Sequence, residues 1–303
     1  MAAIIKPPLL KPGDQIVIVA PSAVVGQDYV QKAADVFGSW GLKVSFGKNL
    51  FAVHHQFAGD DNQRLSDFQE ALDDENISAI ICARGGYGAI RIVDKLNLNR
   101  FVKKPKWVVG FSDITVIHSI LLKAGIQSVH GVMPINFKNL PVSSKPVELL
   151  GQILFEGKLN YQLESNKLNR VGTEKAMLTG GNLSLLYALK GTPYDIDTTR
   201  KILFIEDVGE QLYHLDRMLQ SYKLAGKFEK LKGLIVGGLS EMEDKKRPFG
   251  KTAEEIIASI VEGYNFPIAF NFPAGHLKEN YPVLLGSETQ LEVNSGGVNI
   301  RFE

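Results

Sequence analysis

Cysteine is almost missing from this chain: Cys82 is the single one in 303 residues. No intramolecular disulfide framework can form, which excludes the small secreted folds that depend on one. An excess of either charge is lacking too, since 34 Lys and Arg stand against 33 Asp and Glu, for a net charge of +1. Such a balance offers no electrostatic footprint for nucleic acid or for an anionic membrane surface, so neither is expected as a partner. No apolar run reaches the length of about 18 residues that a membrane span needs. The opening "MAAIIKPPLLKPGDQIVIVAPS" is interrupted by prolines and has no basic segment followed by a continuous apolar one. No secretory signal is expected there, and a cytoplasmic protein follows as the expectation. Internal repeats and low-complexity segments are absent. None of the six histidines lies in an H-E-x-x-H or other compact ligand spacing, so no metal is expected.

What remains is the composition of an ordinary globular protein, 45% hydrophobic and 22% charged, long enough for about two domains. The first half alternates short apolar runs with helical periodicity. "QIVIVAPS" (15–22), "LKVSFGKNL" (42–50), "SAIICARGGYG" (78–88) and "KWVVGF" (106–111) read as strands. Between and after them, 29–41, 62–77, 89–98 and the stretch from Asp113 read as helices. Near-continuous apolar strands separated by helices indicate a parallel sheet covered on both faces. Right-handed crossovers then bring the strand-to-helix turns to one edge, where α/β sheets build their sites. Ser22, the Gly85–Gly88 turn and Ser112 fall on that edge. After a connection over 138–158 that carries one helix, the pattern becomes mixed. Strands are expected at 201–209, 231–239 and 289–294, with helices at 182–191, 212–226 and 251–264. The fold class expected is therefore α/β, with an N-terminal parallel-sheet domain over 1–160 and a smaller C-terminal mixed α/β domain over 172–303.

The stretch "KWVVGFSDITVIHSILLKAG" (106–125) places a serine at the joint between a buried strand and a helix. Two roles fit Ser112. Unpaired amides and the positive end of the helix dipole would favour an oxyanion beside a serine nucleophile, and the same forces favour serine as a plain N-cap. A G-x-S-x-G elbow is not met, because Ile114 stands where its second glycine belongs. "ARGGYG" (83–88) fits neither a dinucleotide fingerprint nor a P-loop, for want of the third glycine or of the lysine. Its glycines suit either a tight turn or a backbone donor to an oxyanion. Arg84 is placed to meet a substrate carboxylate or a protein one. Of the histidines, His118 and His214 lie inside helical patterns and His130 in a strand-like run. His276 lies in the Pro/Gly loop "NFPAGHLKENYP", the kind of segment in which functional residues concentrate. "ILFIEDVGE" ends an apolar strand on Glu206 and Asp207, carboxylates that need a purpose or a partner there. Ser, Glu and His in this order fit a triad; a non-catalytic α/β protein cradling an anion on Gly85–Gly88 fits the glycine turn alone.

The motifs "VAPS", "ARGGYGAIR", "VVGFSDITVIHSIL", "VHGVM", "LTGGNLSLL", "ILFIEDVGEQLYHLDRML", "GLIVGG" and "FPAGH" together resemble the LD-carboxypeptidases, also called muramoyltetrapeptide carboxypeptidases. The resemblance runs from about residue 10 to residue 300 in the family's order. It implies a flavodoxin-like N-terminal domain and a Ser-His-Glu triad of Ser112, His276 and Glu206. It further implies an oxyanion hole from the amides of Gly86 and Asp113, a cytosolic homodimer, and no cofactor or metal. The implied substrate is a murein tetrapeptide, cut between the L-centre of meso-diaminopimelate (or lysine) and the terminal D-alanine in peptidoglycan recycling. Arg84 and Asn182 are the candidates for holding the substrate carboxylate and peptide polar groups, with helix capping a rival role for Asn182. The microcin C immunity peptidases resemble the chain through the same triad. Their extra aromatic loop has no counterpart in 138–172, whose aromatics are Phe155 and Tyr161, and this favours the cell-wall substrate.

Overall fold

The computed structural model describes residues 4–141 and 143–303. The chain divides into two compact units: one running up to Gly157 and taking back Tyr281–Leu285, the other made of Lys158–Asn280 and Gly286–Glu303.

In the first unit the elements alternate as the periodicity predicts. They are β1 (Gln15–Val19), α1 (Gln27–Ser39), β2 (Lys43–Phe46), α2 (Asp61–Asp73), β3 (Ile77–Cys82), β4 (Trp107–Gly110), α3 (Thr115–Lys123), β5 (Ser128–His130) and α4 (Lys145–Glu156). The strands lie in the order β2-β1-β3-β4-β5, all parallel, which is the flavodoxin-like arrangement with its switch point between β1 and β3. A sixth strand, Val283–Leu285, runs antiparallel to β5 and closes that edge. Apolar runs such as "IVIV" and "AIIC" are buried on both faces, as a parallel sheet under helices requires. Phe37 on α1 and Phe68 on α2 are fully buried, which contributes about 2 kcal/mol each. Local chemistry sets the boundaries: Asp60 and Gln63 form a reciprocal capping box on α2, and left-handed Gly157 ends α4.

One element departs from expectation. Residues 89–98 read as a helix but form two 3₁₀ turns, Ala89–Arg91 and Val93–Lys95. The β-branched Ile90, Ile92 and Val93 disfavour an α-helix. The first N–H of the segment, that of Ala89, donates to the Asp113 carboxylate.

The second unit contains β6 (Leu159–Leu163), β7 (Gly172–Asn182), α5 (Leu183–Ala188), β8 (Ile202–Val208), α6 (Leu212–Leu224), β9 (Gly233–Ser240), α7 (Ala253–Ile260), β10 (Ile268–Ala269), β12 (Glu288–Asn294) and β13 (Gly297–Phe302), the strand Val283–Leu285 being β11 in chain order. Its sheet order is β10-β9-β8-β7-β12-β13-β6. The long β7 serves two halves: Gly172–Met177 pairs antiparallel with β12, and Leu178–Asn182 pairs parallel with β8. The parallel half is packed by α5, α6 and α7 through a core that includes Leu203, Ile205, Leu215, Met218, Tyr222, Ile256 and Ile257. An edge-to-face set of Tyr161, Phe204, Phe272 and Phe302 fills the other face. This packing fixes the carboxyl ends of β7, β8 and β9, where Asn182, Glu206 and Ser240 stand.

Candidate active site

Ser112 sits where β4 ends, half-buried, on a 3₁₀ turn of Ser112–Ile114 that leads into α3. Its φ is +64°, a left-handed conformation that a non-glycine residue adopts only when its surroundings enforce it. The cap positions of the turn and of α3 belong to Phe111 and Ile114, and neither gives a side-chain cap bond. Ser112 is therefore not an N-cap, and its strained backbone presents the hydroxyl rather than ending a helix. Behind it stands Gly85: a Cβ there would lie 2.8 Å from Ser112 Cβ and 3.0 Å from its Oγ. Only glycine lets the turn after β3 come so close. Gly86, next along, has φ +98° and is exposed.

The turn rests on buried polar groups. His118 on α3 donates from Nε2 to the carbonyl of Gly110 at 2.8 Å, so its Nδ1 accepts from Ser128 Oγ at 2.8 Å. Burial pushes its pKa down to about 3, and His118 is a neutral structural histidine, as its place inside a helical pattern foretold. Asp113 is fully buried and its Oδ2 accepts from Ser22 Oγ at 2.6 Å and from the Ala89 amide at 2.7 Å. Arg64, also buried, donates from Nη1 to the carbonyls of Pro21 and Gly88, each at 3.0 Å. Arg84 donates from Nη1 to the carbonyl of Val24 at 2.8 Å, so part of its guanidinium is spent on the loop after β1.

In the second unit, Glu206 at the end of β8 is completely buried, and His276 donates from Nδ1 to its Oε2 at 2.8 Å. The His276 backbone amide reaches the same oxygen at 3.2 Å. With Nδ1 holding the proton toward the carboxylate, Nε2 is left as the basic atom. The loop around the histidine is pinned by Gly275 N–H to Asn280 Oδ1 at 2.7 Å and by Ser240 Oγ to the His276 carbonyl at 2.7 Å. Gly275 has φ +107°, and a Cβ there would stand 2.5 Å from Glu206 Oε2, so the loop can cover the carboxylate only with glycine at this place. Burial of the ring opposes its protonation. The hydrogen bond to Glu206 and the charges of Glu206, Asp207 and Glu241 outweigh that, and the His276 pKa is held above its ordinary value.

Asp207 has a different task from its neighbour. Its Oδ1 accepts from Asn182 Nδ2 at 3.0 Å and from the Val208 amide at 2.9 Å, and its Oδ2 accepts from the Ser184 amide at 2.9 Å. Burial and the adjacent Glu206 push its pKa up to about 7. Asn182 caps α5, its Oδ1 accepting from the Leu185 amide at 3.3 Å, and so fills the rival role foreseen for it. The parts played by Ser22, Gly275 and the Asp113 side chain were not singled out from the sequence. Ser22 was placed on the right sheet edge, but a partner 91 residues away leaves no local signal. Among the described residues no group of three or more His, Cys, Asp and Glu is placed to hold a metal ion, and no helix is long and apolar enough to cross a membrane.

Comparison with known proteins gives the family. The model of the LD-carboxypeptidase N-terminal domain matches residues 16–131, and that of the C-terminal domain matches residues 175–291. A probable murein peptide carboxypeptidase of Bacillus subtilis is 32% identical over 293 residues, covering 94% of this chain and 91% of that one. The chain belongs to the LD-carboxypeptidase family. As a member it is a serine-type carboxypeptidase, a hydrolase that acts on a peptide substrate. The murein tetrapeptide carboxypeptidase of Pseudomonas aeruginosa is a more distant relative, 26% identical with 92% of this chain and 94% of that one covered. Among solved structures, the muramoyltetrapeptide carboxypeptidase from Oxalobacter formigenes superposes with a TM-score of 0.87 at 28% identity, over 95% of this chain and 98% of that one. The microcin C7 self-immunity protein in complex with aspartyl sulfamoyl adenosine shares the fold, with a TM-score of 0.86 at 20% identity over 98% of each chain.

Proposed function

We propose that this LD-carboxypeptidase hydrolyses the bond between the L-centre of meso-diaminopimelate (or lysine) and the terminal D-alanine of murein tetrapeptides, as a cytoplasmic homodimer in peptidoglycan recycling. Ser112 is the nucleophile, His276 the base and Glu206 the orienting acid. The Gly86 and Asp113 amides form the oxyanion hole and Arg84 meets the substrate's carboxylate, while Asn182 supports the site from its buried cap on α5 and its bond to Asp207. The observation that carries this reading is the Glu206–His276 pair, a fully buried carboxylate bound to the Nδ1 of a partly exposed imidazole. With Nδ1 turned to the carboxylate, Nε2 is the basic atom that receives a proton, and the strained Ser112 turn supplies the hydroxyl that gives one. His276 Nε2 takes the Ser112 Oγ proton as Oγ attacks the carbonyl, and the oxyanion that forms is met by the two amides. The C–N bond then breaks, the proton passes to the departing D-alanine amine, and water releases the tripeptide from Ser112 by the same steps in reverse. Each amide of the hole contributes about 3 kcal/mol in the transition state. The names of the Bacillus, Pseudomonas and Oxalobacter relatives support the murein substrate.

Incubation with L-Ala-D-Glu-mesoDAP-D-Ala should release one alanine, seen as the mass of the tripeptide. An intact tetrapeptide, with cleavage of an aspartyl-adenylate conjugate instead, would reassign the enzyme to the microcin type of substrate.

The pH dependence follows from His276. The base works neutral, and its pKa is raised, so activity rises with pH through a midpoint above the value of about 6.5 of a free imidazole. A kcat/KM profile from pH 5 to 9 checks this, and a midpoint at or below that of a free imidazole would contradict it. The same shift stabilises the fold in the protonated form. That contribution is complete below the unfolded pKa and is lost as pH climbs through the folded one.

A further inference from the structure

We propose that the Asp113 side chain is a positioning residue for the reaction, holding the Gly86 amide and its own backbone amide in one geometry about Ser112. The inference rests on the oxyanion hole proposed above and assigns what sets it.

Asp113 is expensive where it stands. It is fully buried, and while Oδ2 takes two short hydrogen bonds, Oδ1 is buried with no hydrogen-bond partner among the described residues. A carboxylate satisfied on one oxygen only costs more to bury than an apolar residue of the same size. Burial accordingly pushes its pKa up, against the pull of the Ala89 amide, the Ser22 hydroxyl and the Arg64 charge. What the carboxylate achieves in return is a junction of three turns. Its backbone belongs to the nucleophile turn after β4, Ser22 to the loop after β1, and Ala89 to the far end of the glycine turn after β3.

The junction aims a specific amide. Ser22 precedes Ala23, whose N–H donates to the carbonyl of Gly85 at 3.2 Å. The Gly85–Gly86 peptide is trans, so its C=O and N–H point to opposite sides. Drawing the Gly85 carbonyl to Ala23 therefore turns the Gly86 N–H away from that loop. The bond from Ala89 to Asp113 holds the other end of the same turn, which the close approach of Gly85 sets against Ser112 Oγ. A second strap, Arg64 to Pro21 and Gly88, joins the same two loops without touching Gly85 or Gly86. With that strap intact, loss of the Ser22 hydroxyl loosens the aim of the Gly86 amide and leaves the loops folded.

The test compares Ser22→Ala, Ser22→Thr and Asp113→Asn with the parent enzyme on the tetrapeptide. Ser22→Ala should lower kcat about tenfold or more with KM nearly unchanged, Asp113→Asn should lower it further, and Ser22→Thr should restore it. A tripeptide aldehyde, whose adduct with Ser112 carries the oxyanion, should bind Ser22→Ala more weakly by the same factor. Tetrapeptide affinity, measured with Ser112→Ala added to each variant, should stay constant. Equal losses for aldehyde and tetrapeptide would mark general damage and overturn the proposal. So would full kcat in both Ser22→Ala and Asp113→Asn; with Ser112→Ala inactive, that result would leave the proposed triad standing. An active Ser112→Ala would bring down the triad and this inference together.

Discussion

Ser112→Ala should reduce turnover of the tetrapeptide on the order of a million-fold, the scale seen when a serine nucleophile is removed from a triad. What survives is hydrolysis by water in a site that still offers its oxyanion donors and still binds substrate. The fold should persist, because alanine meets the left-handed φ of +64° no worse than serine does. Ser112→Gly sharpens the prediction. Glycine relieves the strain, so this variant should be equally inactive and about 1 kcal/mol more stable than the parent. Steady-state turnover with chemical denaturation of the three proteins checks both halves. Parent-like turnover in Ser112→Ala would remove Ser112 from the chemistry, and a Ser112→Gly no more stable than alanine would remove the strain from the argument.

Glu206→Gln should cost about 10⁴-fold in kcat while changing KM little. The amide has nearly the shape of the carboxylate but can offer its NH₂ to His276 Nδ1, which selects the wrong tautomer and puts the proton on Nε2. It also gives up the charge that stabilises the imidazolium. His276→Ala should be at least as damaging, and Ser112→Ala combined with His276→Ala should be no worse than either alone, because the three groups act as one unit. Single-turnover assays of the singles and the double measure this. Additive losses would show that His276 serves something other than Ser112. In Glu206→Gln the acidic limb of the pH profile should also move down, since the largest influence raising the His276 pKa has gone.

Much of the fold is readable in the sequence. Apolar runs lead into Ser112 and Glu206 and a Pro/Gly loop carries His276, but local pattern leaves a cap, an ion pair or a structural role open at each, and only the family's motifs join the three. The parallel sheet of the first unit followed from the same runs. What stayed hidden depends on contacts between distant residues. The Ser22–Asp113 bond joins positions 91 apart, and both residues look like ordinary turn and cap formers in their own neighbourhoods. Residues 89–98 carry helical spacing, yet the run of β-branched side chains breaks them into two 3₁₀ segments. Val283–Leu285 is three apolar residues between a Pro and a Gly, too brief for any periodicity to announce a strand.

That brief strand has a consequence for how the molecule can be divided. The polypeptide leaves the first unit at Gly157, comes back at Tyr281 and departs again after Leu285. A gene cut at residue 157 would yield a fragment whose β5 carries an open row of hydrogen-bonding groups, a template for sticking to other chains. One peptide link separates the returning segment from Asn280, the residue that pins the loop of His276. The two halves are thus poor candidates for independent expression or for shuffling between relatives, and nature must inherit them as a single piece.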